Sequence, residues 1–119
     1  MKYLCIVHID YGMFDTMPPD QIAALERSNR DYDAELTERH HLIAAQGLMA
    51  PENGLVVKVR NGEMSMTDGP FSEAKEQMAG FLLIEARDMA EATSIAAGIP
   101  LANHGQIELR PIYVAPNPA

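Results

Sequence analysis

The pair Asn61-Gly62 stands between "GLVVKVR" and "EMSMTD", two runs of alternating apolar and polar residues, and constrains this chain more than any other feature. Asn-Gly accepts the positive φ angles of a type I′ turn, whose twist matches that of paired strands, so the segment is predicted to be a tight hairpin. So short a loop leaves one register: Arg60 opposes Glu63, Val59 opposes Met64, Lys58 opposes Ser65, Val57 opposes Met66, and Val56 opposes Thr67. One face then carries Val57, Val59, Met64 and Met66, and the other carries Lys58, Arg60, Glu63 and Ser65. Continuing the alternation sets Asp68 on the apolar face at the strand's last position, because Gly69-Pro70 follows and proline has no N–H to give a ladder.

The flanking segments have periods of their own. "KYLCIVHID", residues 2–10, is predicted to be a buried strand with Tyr3, Cys5, Val7 and Ile9 on one face. Its other face, Leu4, Ile6, His8 and Asp10, turns polar towards the end, as a strand does when it leaves a core for a cavity. Pro18, Pro19 and Asp20 suit the first turn of a helix. From there Ile22, Leu25, Asn29, Tyr32, Leu36 and Ile43 mark one stripe, which predicts a single long amphipathic helix stopped at Gly47. Residues 78–86, "MAGFLLIEA", are predicted to be a strand. A helix follows, with Asp88 as N-cap, Glu91 at capping-box spacing, and a stop at Gly98 and Pro100. The last strand is expected over 105–114 and a loose tail over 116–119.

This order divides into two β-α-β halves with a hairpin between them, which predicts an α+β, ferredoxin-like sandwich with an inserted β-hairpin, one domain over residues 1–115. Two helices cover one face of such a sheet. The other face keeps apolar side chains, so pairing with a second subunit, a homodimer, is expected.

Charge narrows the partners. Seventeen acidic against nine basic side chains give a net charge of −8, with no basic cluster to reverse it, so neither nucleic acid nor an anionic membrane is expected as a partner. Cys5 is the one cysteine, which excludes an internal disulfide and a multi-cysteine zinc site, and its apolar surroundings predict a buried, inert thiol. No basic n-region and no apolar stretch of spanning length precede or interrupt the pattern, so a cytoplasmic location is expected. Phosphate loop, dinucleotide fingerprint and nucleophile elbow are all missing from the sequence, and no cofactor is expected.

The stretch "TDGPFSEAKEQMAGFLLIEARDMAEA", with "MKYLCIVHID" before it and "GQIELRP" after it, resembles the YCII-related proteins, in the branch named for its Asp-Gly-Pro-Phe motif. The resemblance implies a ferredoxin-like subunit that pairs into a dimeric α/β barrel, with a pocket between the uncovered sheet face and its bordering loops. Similar barrels include muconolactone isomerases, small monooxygenases and a dehydrochlorinase, and fold does not choose among such chemistries. Some relatives lie beside or fused to sigma factors, which implies a regulatory alternative. The family's proposed active site pairs an aspartate with a histidine on the first helix. Residues 29–38 here, "NRDYDAELTE", contain no histidine, and His40 and His41 come too late to supply it.

Asp68 is the first candidate for acid/base chemistry, since a carboxylate ending an apolar strand face is desolvated and its pKa rises. An Asx-type turn, with Asp68 bonded to the backbone around 69–71, is the structural alternative. His8 and Asp10 share a strand face, and His8 is expected either to couple with Asp68 in proton transfer or to be a structural histidine with one satisfied hydrogen bond. Met66, Gly69, Pro70 and Phe71 are candidate pocket residues, with Lys75 a receiver for negative charge on a ligand. The plainer reading makes Phe71 a core plug and Glu73, Lys75 and Glu76 a solvated surface. No metal signature is present. His104 is expected in an exposed loop, and Arg110 either pairs with an acid or borders the pocket.

Overall fold

The computed structural model describes residues 1–69 and 73–117, so Pro70 and Phe71, and the tip of the expected tail at 118–119, lie outside the described residues. Six strands and two helices follow in the order β1 (Lys2–Ile9), α1 (Pro19–Glu38), β2 (Leu42–Gly47), β3 (Leu55–Arg60), β4 (Glu63–Asp68), β5 (Gln77–Glu85), α2 (Met89–Ala97) and β6 (Gln106–Pro111). The main sheet is antiparallel in the order β2-β5-β1-β6, and β3 pairs only with β4 in a separate two-stranded ribbon. Set aside that ribbon and the chain is an α+β, ferredoxin-like unit. Its sheet is open, ending at β2 and β6.

Alternation along β1 sorts the layers. Tyr3, Cys5, Val7 and Ile9 are buried beneath the helices, as expected, together with Leu82 and Ile84 of β5. The helices close over them with Leu36 of α1 and Ala92, Ile95 and Ala96 of α2. Tyr32 ties the two helices, its hydroxyl donating to the Ile95 carbonyl at 2.6 Å. The cap of α2 is as predicted: Asp88 Oδ1 accepts from the Glu91 amide at 2.9 Å. Glu91 reaches one residue further back than a standard capping box, accepting from the Arg87 amide at 2.8 Å.

One expectation fails. The long helix ends at Glu38, and residues 42–47, read as its continuation, form β2 at the sheet edge. His40 takes a left-handed conformation, φ 63°, which reverses the chain. His41 then fastens the reversal: its amide donates to the Leu36 carbonyl at 2.8 Å and its Nδ1 to the Glu85 carbonyl at 2.8 Å. Ile43, the last residue of the supposed stripe, is exposed on the strand. A seven-residue step from Leu36 to Ile43 fits a helix, but it fits a helix, a turn and a strand equally well.

The molecule is a slab of 53 × 47 × 19 Å, thin enough for one sheet and one layer of helices. Among the described residues no helix covers the opposite face of the sheet. Strand register places Leu4 beside Leu83, Ile6 beside Phe81 and Glu108, and His8 beside Met78 and Gln106 on that face. The ribbon has the predicted register throughout, extended by Leu55 opposite Asp68. Its apolar side is bare, with Leu55, Val57, Val59, Met64 and Met66 all more than half exposed.

Candidate functional site

At one end of the open face a cleft of about 790 Å³ lies between the sheet and the base of the ribbon. Its walls are mainly apolar, from Leu48, Met49, Pro51, Leu55 and Met78, with His8, Asn53, Glu76 and Gln77 as polar lining residues. Its volume is within the range of small-molecule sites.

Local irregularities build this cleft. β1 and β5 lose register between Val7 and His8, where Ala79 is an extra residue between Gly80 and Met78. A bulge of this kind re-aims neighbouring side chains. The carbonyl it leaves on Ala79 accepts from the Leu48 amide at 2.8 Å, which anchors the loop forming the opposite wall. Tyr11 holds the same loop, donating its hydroxyl to the Leu48 carbonyl at 2.9 Å. Gly69 closes the ribbon's base by donating to the Gly54 carbonyl at 2.8 Å.

His8 is the one candidate catalytic residue in the cleft wall. Its Nε2 lies 3.1 Å from Glu108 Oε1, so its partner is on β6 and not on the ribbon. Arg110 Nε stands 3.9 Å from the other oxygen of Glu108. Gln106 Nε2 donates to Glu76 Oε1. His8, Glu76, Gln106 and Glu108 border a second hollow of about 470 Å³ that adjoins the first through His8 and Glu76.

The other candidates are distributed around the site. Asp68 is exposed at the end of β4, one residue from Gly69, which does line the cleft. Met66 is exposed on the ribbon's apolar side. Asp10 caps the short turn Tyr11–Asp15, its Oδ1 accepting from the Gly12 amide at 2.9 Å. Lys75 Nζ lies 3.9 Å from Asp10 Oδ2 and is almost fully exposed. Pro70 and Phe71 lie outside the described residues. Among the described residues no group of three His, Cys, Asp or Glu side chains is arranged to hold a metal ion, and no helix is long and apolar enough to cross a membrane.

Elsewhere, burial pushes the Cys5 thiol up to about 11, and burial holds the Asp33 carboxyl on α1 above its usual range. Sequence reasoning missed Glu108, Gln106, Tyr11 and the 48–54 wall. The alternation of Gln106, Glu108 and Arg110 with Ile107 and Leu109 was a visible signal that the polar side of the last strand shares a face.

An open, antiparallel α+β unit with a cleft at the end of the sheet face that its helices leave uncovered defines the class of this protein. The chain belongs to the YCII-related domain family, whose profile matches residues 1–115. Over 53 residues it is 43% identical to an uncharacterized protein of Rhizobium meliloti (strain 1021), and the match spans 43% of this chain and 43% of that protein.

Proposed function

We propose that the chain acts as a homodimer, paired as a dimeric α/β barrel, that holds a small organic molecule in the cleft beside His8. The cleft itself carries this reading: a mainly apolar hollow of about 790 Å³ with a few polar side chains, His8 and Glu76 among them, in its lining is the usual form of a small-molecule site. The exposed apolar side of the ribbon supports pairing, since Leu55, Val57, Val59, Met64 and Met66 leave a run of apolar side chains in water that monomers rarely keep. The demand for glycine at position 69, where an added Cβ would meet the Pro51 carbonyl oxygen, supports placing the chain in the Asp-Gly-Pro-Phe branch.

The chemistry we assign is cofactor-independent proton transfer, with His8 as the group in the cleft and Asp68 brought to its mouth when a second subunit covers the ribbon. Asp68 is adjacent in sequence to a lining residue and on the ribbon's apolar side, which supports that role. We keep the expected cytoplasmic setting. The test is an NMR screen of the isotope-labelled chain against small acids, phenols and amines. Shifts gathered at His8, Leu55 and Met78 are expected; a panel that leaves those residues unmoved would overturn the reading.

A non-catalytic regulatory module, of the kind linked to sigma factors, is the second reading. It draws on the same exposed ribbon, which would then meet another protein. Dimerisation that protects Val57 and Met66 from solvent removes its basis.

A further inference from the structure

Resting on the reading of the cleft as a binding site, we infer that its ligand has an apolar body and a cationic, hydrogen-bond-donating head, an amine in chemical class, received by Glu108 and Glu76. Two carboxylates stand where the cleft meets the adjoining hollow, Glu76 lining both and Glu108 lining the hollow. Glu76 has one oxygen bonded by Gln106; Glu108 has one bonded to His8 and the other 3.9 Å from Arg110 Nε, beyond hydrogen-bond reach. A carboxylate offers about four lone-pair sites, so acceptor capacity remains on both after those bonds. Among the described residues the neighbouring cations already face acids: Arg110 Nε lies 3.9 Å from Glu108 Oε2 and Lys75 Nζ 3.9 Å from Asp10 Oδ2, and both are largely exposed. An anionic head would meet two like charges in a chain of net charge −8, whereas an ammonium group gains charge-assisted hydrogen bonds. The apolar walls at Leu48, Met49, Leu55 and Met78 take the body of the molecule.

The experiment compares phenethylamine, phenethyl alcohol and hydrocinnamate, which share an apolar body and differ in the head, by NMR titration of the full chain at neutral pH. The amine is expected to bind roughly threefold to tenfold more tightly than the alcohol, as suits half-exposed charge pairs, with hydrocinnamate weakest. Glu108→Gln is expected to remove most of that advantage by weakening the amine more than the alcohol. Glu76→Gln is the second variant, and carries the test should the first not fold. Hydrocinnamate binding as well as the amine would overturn the head-group assignment and leave the pocket standing. An amine advantage that survives both substitutions would overturn the role of the two carboxylates. If none of the three moves the cleft residues, the pocket reading falls with the inference.

Discussion

The amide of Gly69 donates to the carbonyl oxygen of Gly54 at 2.8 Å, and this bond joins the two ends of the ribbon at the wall of the cleft. The backbone approaches so closely there that a Cβ on residue 69 would lie 2.3 Å from the Pro51 carbonyl oxygen and 3.2 Å from that of Gly54. Both obstacles are backbone, which cannot swing aside as a side chain can. Gly69→Ala is expected to cost about 1–3 kcal/mol, the usual range for forced overpacking. The strain should appear locally, as faster hydrogen exchange of the ribbon amides and shifts at Pro51 to Leu55. Unchanged exchange would mean that the ribbon base tolerates the displacement.

His8 was legible in the sequence as the polar end of an apolar strand, because alternation needs no tertiary knowledge. The ribbon register was equally legible, since a type I′ turn leaves no choice of pairing. The partner of His8 was not. Glu108 is one hundred residues away in sequence, and only the order of strands in the sheet brings β6 beside β1. β2 escaped for a different reason: Leu42, Ile43, Ala44 and Ala45 are compatible with either helix or strand, and the left-handed residue that decides between them, His40, has no signature as plain as glycine's. The loop wall at 48–54 depends on a bulge at Ala79, a feature that sequence alternation alone does not disclose.

Cys5 is fully buried and its thiol is pushed up to about 11 by burial, from 9.0. Between those values the native chain keeps a proton that the unfolded chain has lost. Folding stability is therefore expected to fall as pH rises from 9.0 to about 11, with no contribution from this group below that window. At neutral pH a thiol reagent should modify Cys5 only at the rate of unfolding. Rapid modification of the folded chain would contradict its burial.

Asp33 has the opposite charge problem from a salt-bridged acid, because burial raises its pKa above 3.8. Stability falls as pH rises from 3.8 through the raised value, and the loss persists at neutral pH. Asp33→Asn removes the ionisation. Since the side chain is only half-buried, a gain of a few tenths of a kcal/mol at neutral pH is expected, vanishing below 3.8 where both forms are uncharged. Paired urea melts at the two pH values check the sign.

Val57 and Met66 face each other across the ribbon and are more than half exposed. Val57→Glu with Met66→Glu is expected to weaken subunit pairing while changing the stability of the single subunit by only about 0.5 kcal/mol, as for other surface positions. Light scattering on a dilution series would read the first effect and urea melts the second. A dimer unaffected by both charges would move the interface away from the ribbon.

Pairing is the claim on which the barrel, the enclosed cleft and the placement of Asp68 all depend. Sedimentation velocity of the purified chain tests it most directly. A single species of twice 13.1 kDa at micromolar concentration is the predicted result; a species of 13.1 kDa that persists across the concentration range would contradict the account.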